Sequence, residues 1–265
     1  MGDSDEADGS PMNTFALGAP EDIARELRSY MSKFSIHSAP IVAPCRDNPD
    51  VMMRRRPDGC IYTDGPRTER AGLMPLSDMA SVDANRRYNT LADHEWFGPS
   101  SWLDYGCGHN TDAPPYGVGW DPATGEPEPE GHYDLVTLFH VAEHVDDPVA
   151  LLRHVRDRFT PSVVVVETPN ARDWMLSQSQ AYREHWAWSD HRLVLTGEAL
   201  LQAGELAGLG MGALKFVQRY PWENAIRWLR EGKPGGHAHS AWMQHAAYAD
   251  MLAGETDTLW CEWRM

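Results

Sequence analysis

Between Trp102 and Asp121 the chain spells the carboxyl edge of a parallel sheet. Trp102-Leu103-Asp104-Tyr105-Gly106-Cys107-Gly108 is a short apolar run that ends in an acid and a Gly-x-Gly turn. Gly117-Val118-Gly119-Trp120-Asp121 is a second short run that ends in another acid. Gly106 and Gly108 can take positive φ and let the backbone approach a ligand with no Cβ in the way. An acid at the end of the neighbouring strand is placed to accept hydrogen bonds from two ribose hydroxyls. Together they predict a nucleoside-type cofactor lying across the sheet edge.

The details separate two such cofactors. A nicotinamide dinucleotide asks for G-x-G-x-x-G opening a full helix, with an acid about 20 residues on. Here Thr111 stands at the third glycine, and Pro114-Pro115 leaves little room for the helix whose N-terminus would hold a pyrophosphate. Asp104 would also repel a pyrophosphate, whereas S-adenosylmethionine has no phosphate and carries a sulfonium and an ammonium. The apolar-Asp-x-Gly-x-Gly motif resembles the first motif of the class I S-adenosylmethionine-dependent methyltransferases. Asn110 stands where many relatives have a third glycine, and Asn tolerates the left-handed conformation better than most residues.

Downstream order extends the resemblance over about residues 96 to 265. His132 to His140 holds a buried strand, followed by Val141-Ala142-Glu143-His144-Val145-Asp146-Asp147-Pro148. This block is similar to the Glu-His-Val/Leu-x-Asp-Pro loop after the fourth strand in small-molecule methyltransferases. Asp147 is a good N-cap and Pro148 suits the first helical position. Val149, Leu152 and Val155 share one helical stripe, and Thr160-Pro161 ends it. Val163 to Val166 is a β-branched run suited to a strand covered on both faces, closed by Pro169-Asn170. A helix over 197–208 and strands over 213–220 and 258–264 complete the pattern. The expected fold is therefore α/β, a Rossmann-like, mostly parallel sheet with an antiparallel last strand and an N-terminal cap. One departure is the Pro- and Glu-rich loop over 122–131, where the family usually has a third strand that reads the adenine. No adenine-reading residue is assigned.

The chain of 265 residues divides unevenly. Residues 1–19 are acidic and suit a disordered tail. Residues 20–95 suit a cap or substrate region: an amphipathic helix over 21–34 with Ile23, Leu27 and Met31 in line, an irregular stretch over 35–79, and a helix over 82–96. Residues 96–265 suit the cofactor-binding core. A net charge of -16 argues against a nucleic-acid grip, which needs clustered Lys and Arg. Arg54-Arg55-Arg56 is too short to reverse that. Cys45, Cys60, Cys107 and Cys261 show neither metal nor disulfide spacing, and nothing resembles a signal peptide or a spanning segment. A cytoplasmic monomer or homodimer acting on a small molecule, away from membranes, is expected.

The resemblance implies S-adenosylmethionine as cofactor, bound by Asp104, Tyr105, Gly106, Cys107, Gly108, Asp121, Phe139 and His140. Methyl transfer needs a nucleophile in line with the departing sulfur, and alignment alone supplies up to about 7–11 kcal/mol. A base is needed only for a hydroxyl or an acidic carbon, and His144 and His140 are the candidates at the fourth strand's end. Glu143 and His144 can also merely hold the loop. His185, Trp188 and His191, after the fifth strand, are candidate substrate residues, suited to a sugar or ring by stacking and hydrogen bonding. His140-x-x-Glu143-His144 matches the H-x-x-E-H zinc pattern, but the helix starts only at Pro148, after the motif. Some ubiquinone-pathway O-methyltransferases have Glu-x-x-Glu-His here and use a divalent cation; His140 replaces their first Glu. No metal ligand is assigned, and the help of a cation stays open. So do a dinucleotide oxidoreductase, a non-catalytic S-adenosylmethionine-binding subunit, and the identity of the methyl acceptor.

Overall fold

The computed structural model describes residues 42–65, 80–92, 101–108, 117–188, 190–220, 222–234 and 254–265. All belong to one compact unit, Ser35–Met265. The expected acidic tail and first amphipathic helix lie outside the described residues.

The first strands, β1 (Val42–Pro44), β2 (Met52–Arg55) and β3 (Ile61–Asp64), form an antiparallel meander. They fall in the stretch expected to be irregular. Each has only three or four residues, too few for an alternation of period two to stand out from the Pro, Asp and Gly turns between them. Helix α1 (Ala80–Ala92) follows, close to the helix expected over 82–96.

The main sheet begins with β4 (Trp102–Tyr105), β5 (Gly117–Trp120) and β6 (Leu135–Phe139). Helix α2 (Pro148–Phe159) leads to β7 (Val163–Pro169), then α3 (Met175–Gln178), α4 (Gln180–Trp186) and β8 (Leu193–Val194). The chain closes through α5 (Gly197–Leu206), β9 (Gly212–Val217), α6 (Trp222–Glu231) and β10 (Thr258–Arg264). The strand order is β5-β4-β6-β7-β10-β9, with β5, β4, β6 and β7 parallel and β10 antiparallel to both its neighbours. Among the described residues no strand lies between Asp121 and β6, and a single 3-10 turn, Pro122–Thr124, occupies the start of that loop. Strand β8 stands outside the main sheet and pairs with β3, giving a second sheet in the order β1-β2-β3-β8.

Alternation along β6 shows why the sheet has two covered faces. Val136 and Leu138 join Leu103, Val164, Val166 and Cys261 under α2 and α5. Leu135 points the other way, with Leu91 of α1, Trp102, Val163, Val165 and Trp260. Burial on both faces is what the β-branched run of β7 requires, and all seven of its residues are buried. Helix α2 starts as expected: Asp147 Oδ1 accepts from the Ala150 amide at 2.9 Å, and Pro148 needs no donor. Its end is set by Thr160 in the left-handed conformation, φ 44°. Among the described residues no helix is long and apolar enough to cross a membrane.

Candidate active site

Strand β4 runs into the glycine turn at the carboxyl edge of the parallel strands. Gly106 and Gly108 have φ of 78° and 60°. A Cβ on Gly106 would lie 2.5 Å from Val141 Cγ2, so the turn packs directly on the segment after β6. A Cβ on Gly108 would meet nothing within 4 Å, so this side of the turn faces open space. The Gly106 and Cys107 amides donate to the Trp120 carbonyl at 2.7 and 3.2 Å, tying the turn to β5.

Of the two acids, Asp121 holds this turn directly and Asp104 is tied to β6. Asp121 Oδ2 accepts from the Gly108 amide at 2.9 Å, while Oδ1 accepts from the Ala123 amide at 2.8 Å. An ionised carboxylate has about four lone-pair sites, so each Asp121 oxygen keeps room for a ligand hydroxyl. Asp104 is buried and accepts from the Thr137 hydroxyl at 2.8 Å; Thr137 in turn accepts from Trp102 Nε1 at 2.9 Å. Burial pushes the Asp104 carboxyl up to about 6, against the pull of the Thr137 hydrogen bond. A cationic ligand nearby would favour its charged form. A turn open at Gly108 and flanked by two acids fits S-adenosylmethionine.

The methyltransferase-domain family matches residues 80–211, a stretch that contains the glycine turn and both acids. The chain is a class I S-adenosylmethionine-dependent methyltransferase. The expected cofactor, S-adenosylmethionine, stands, and the nicotinamide alternative falls away. Solved structures similar to this methyltransferase include an S-adenosylmethionine-dependent methyltransferase from Archaeoglobus fulgidus, at 16% identity and a TM-score of 0.47, covering 71% of this chain and 95% of that one. Another, from Mesorhizobium loti, is 15% identical with a TM-score of 0.40, covering 69% of this chain and 100% of that one. The plantazolicin methyltransferase BpumL, in complex with a monoazolic desmethylPZN analog and SAH, is 14% identical with a TM-score of 0.39, covering 69% and 82%. No curated protein matches the chain.

In this methyltransferase the remaining expected cofactor residues turn their side chains to different tasks. Tyr105 packs on Trp120 at 4.9 Å between ring centroids and donates to Glu128 Oε1 at 3.2 Å. Burial, then Glu128, pushes its phenol up to about 12. The Cys107 thiol is likewise pushed up to about 11 by burial and by Asp104 and Asp121, which keeps it protonated and unreactive. Phe139 lies 5.7 Å from the Trp260 ring, with the Arg87 guanidinium 4.5 Å over its face.

The two candidate bases differ. His140, at φ 58°, is held between carboxylates: Nδ1 is 2.9 Å from Glu143 Oε1 and Nε2 is 3.3 Å from Glu167 Oε1. His144 Nδ1 lies 3.1 Å from the Asp190 carbonyl. A carbonyl only accepts, so Nδ1 carries the proton and Nε2 presents a lone pair in the neutral ring. Between them, Glu143 is buried and also accepts from the Thr168 hydroxyl at 3.0 Å. Burial would raise its pKa, but His140, then His144 and His191, hold it down at about 2, so it is ionised.

The three expected substrate residues part company. His191 joins this group, its ring 5.2 Å from His144 and 5.4 Å from Trp186. One ligand atom each from Glu143, His144 and His191 lie within 4.8 Å of one another. Burial, then His144, lowers the His191 pKa to about 4, so its imidazole is neutral. His185 and Trp188 instead gather around Arg46, a residue the sequence patterns do not single out. Arg46 Nη1 is 3.1 Å from His185 Nδ1, and its guanidinium lies 5.1 Å over Trp188. Arg192 also escaped sequence reasoning. Its amide donates to the Glu143 carbonyl at 2.6 Å and its Nε to Asp146 at 2.8 Å, which locks the loop carrying His191 onto the segment after β6. A buried acid within an apolar strand was the available signal for a third omission: Glu167 of β7 takes hydrogen bonds from Arg86 and Arg87 of α1 at 2.6 to 2.8 Å.

Proposed function

We propose that this methyltransferase acts on a small polar acceptor, a sugar or a natural-product intermediate, in a reducing cytoplasmic setting and as a monomer or homodimer. The observation that carries it is the pairing of an acid-flanked glycine turn with the Glu143, His144 and His191 group, joined through Val141 against Gly106. Bound at the turn, S-adenosylmethionine supplies an electrophilic methyl that passes to a nucleophile in line with the departing sulfur. Gly106 and Gly108 shape the methionine end, ionised Asp104 faces the positive charge, and Asp121 takes the ribose hydroxyls. Removing a proton from a hydroxyl acceptor falls to the histidine group after β6, with Trp186 beside His191 as an apolar wall. His140, engaged by Glu143 and Glu167, orients Glu143. The net charge of -16 disfavours a nucleic-acid acceptor.

Calorimetry with S-adenosylhomocysteine, paired with a labelled-methyl screen of sugars, amino acids and phenols, tests this reading. Asp121→Ala is expected to weaken S-adenosylhomocysteine binding by roughly 1.5–3 kcal/mol, the worth of one charge-assisted hydrogen bond. An unchanged affinity removes Asp121 from the site. Label appearing only in oligonucleotides or polypeptides overturns the small acceptor.

A further inference from the structure

We propose that Arg46, with His185 and Trp188 beside it, reads a carboxylate on the methyl acceptor. This rests on the methyltransferase function above and narrows its small polar acceptor to an acid. Arg46 follows β1, and its amide donates to the Ala187 carbonyl at 2.7 Å, which fixes it on the segment between α4 and β8. Its Nη1 lies 3.1 Å from His185 Nδ1, and its guanidinium lies 5.1 Å over the Trp188 ring. A guanidinium only donates, so His185 Nδ1 accepts and the neutral ring carries its proton on Nε2. Burial, then Arg46, lowers the His185 pKa, in keeping with that neutral form. The His185 ring also packs 5.0 Å from Trp228 of α6, which holds it in place.

What the guanidinium lacks is a carboxylate. Among the described residues it forms no ion pair, in a chain with 39 Asp and Glu against 23 Lys and Arg. Holding the turn after β1 does not require the charge, because the backbone bond to Ala187 already does so. Nη1 is engaged and Trp188 covers one face, so the edge formed by Nε and Nη2 is left, a planar fork that matches a carboxylate bidentately. The place suits an acceptor. Trp186, between His185 and Ala187, lies 5.4 Å from the His191 ring, which lies 5.2 Å from His144. One short segment therefore carries the anion anchor near one end and the histidine group at the other. A carboxylate approaching a chain of net charge -16 needs such a local cation to dock.

The test uses the full chain saturated with S-adenosylhomocysteine and titrated calorimetrically with benzoate, benzamide and phenyl phosphate. Benzoate is expected to bind more tightly than benzamide by about tenfold or more, the worth of a charge-assisted bond, and no more weakly than phenyl phosphate. Arg46→Gln should erase the preference for the acid, and Arg46→Lys, which keeps the charge but not the fork, should restore part of it. Arg153→Gln, on α2, should leave it unchanged. With labelled S-adenosylmethionine and paired hydroxy-acid and hydroxy-amide acceptors, Arg46→Gln should raise KM for the acid by about tenfold while kcat changes little. A merely structural loss does not give that split. The wild-type comparison of acid and amide stands even if a variant fails to fold. Equal affinity for benzoate and benzamide, no binding of either, or an acid preference that survives Arg46→Gln overturns the inference. So does phenyl phosphate binding about tenfold more tightly than benzoate, the mark of a phosphate subsite. If S-adenosylhomocysteine binds while the acid preference is absent, this inference fails and the methyltransferase reading stands; if S-adenosylhomocysteine itself does not bind, the methyltransferase reading is at fault.

Discussion

Asp104 shows how a single residue can be legible in type and yet surprising in state. Its place before Gly-x-Gly marks it as a cofactor residue, but only the fold reveals that Thr137 and Trp102 line up behind it and that burial lifts it to about 6. The sign has two consequences. An acid with a raised folded pKa binds its proton more tightly when folded, so this group costs folding stability as pH climbs from near 3.8 to about 6. For the ligand the dependence is opposite. A cationic ammonium prefers ionised Asp104, so binding expels the proton, and affinity for S-adenosylhomocysteine should rise about tenfold between roughly pH 5 and 7, then level off. Calorimetry across that range measures it, and Asp104→Asn should flatten the curve. His191 marks the limit at this scale. Its membership in a group with Glu143 depends on an amide–carbonyl bond between two distant loops, and no local spacing encodes that.

At the scale of elements, legibility follows length and burial. Helix α2 and strand β7 stand out because a cap, a proline, an apolar stripe and a β-branched run agree with one another. The meander β1–β3 does not, and its pairing partner β8 has two residues, set by contact with β3 instead of by its own pattern. The docking of α1 is a third case, because it depends on buried charge. Glu167, fully buried in β7, receives Arg86 and Arg87, while Asp83 of the same helix pairs with Arg219. Burial alone would raise the Glu167 pKa, yet Arg87, His140 and Arg86 hold it well below the usual range. Its contribution is therefore present above the ordinary carboxylate pKa near 4.5 and is lost as pH falls toward the depressed folded value. Glu167→Gln leaves the largely buried Arg87 guanidinium without its counter-charge, while Arg86 keeps Asp83 at 3.1 Å, and is expected to cost about 3–5 kcal/mol. Urea unfolding at neutral pH would register this as a lower midpoint. A loss below about 1 kcal/mol would mean that α1 is held by its apolar contacts instead.

Across the whole molecule, the cofactor turn, the Glu143 group and the second sheet follow one another through direct contacts. Gly106 abuts Val141, Glu143 bonds Arg192, and the strand after Arg192 closes the sheet of β1–β3. A ligand at the turn should therefore stabilise the cooperative unit and not merely a loop. Binding to the folded state alone adds RT ln(1 + [L]/Kd), about 2.7 kcal/mol at a hundredfold excess over Kd. For a chain of this size each kcal/mol raises Tm by about 2–4 °C, so S-adenosylhomocysteine at that excess should shift the transition by about 5–10 °C. Asp121→Ala at the same ligand concentration should lose most of the shift, because the concentration no longer stands far above Kd. NAD should produce none, since the acids Asp104 and Asp121 beside the turn disfavour a pyrophosphate. Differential scanning calorimetry separates these outcomes. A shift confined to a small early transition, with the main one unmoved, would show that the turn melts apart from the sheet and that the chain of contacts through Val141 and Arg192 does not couple them.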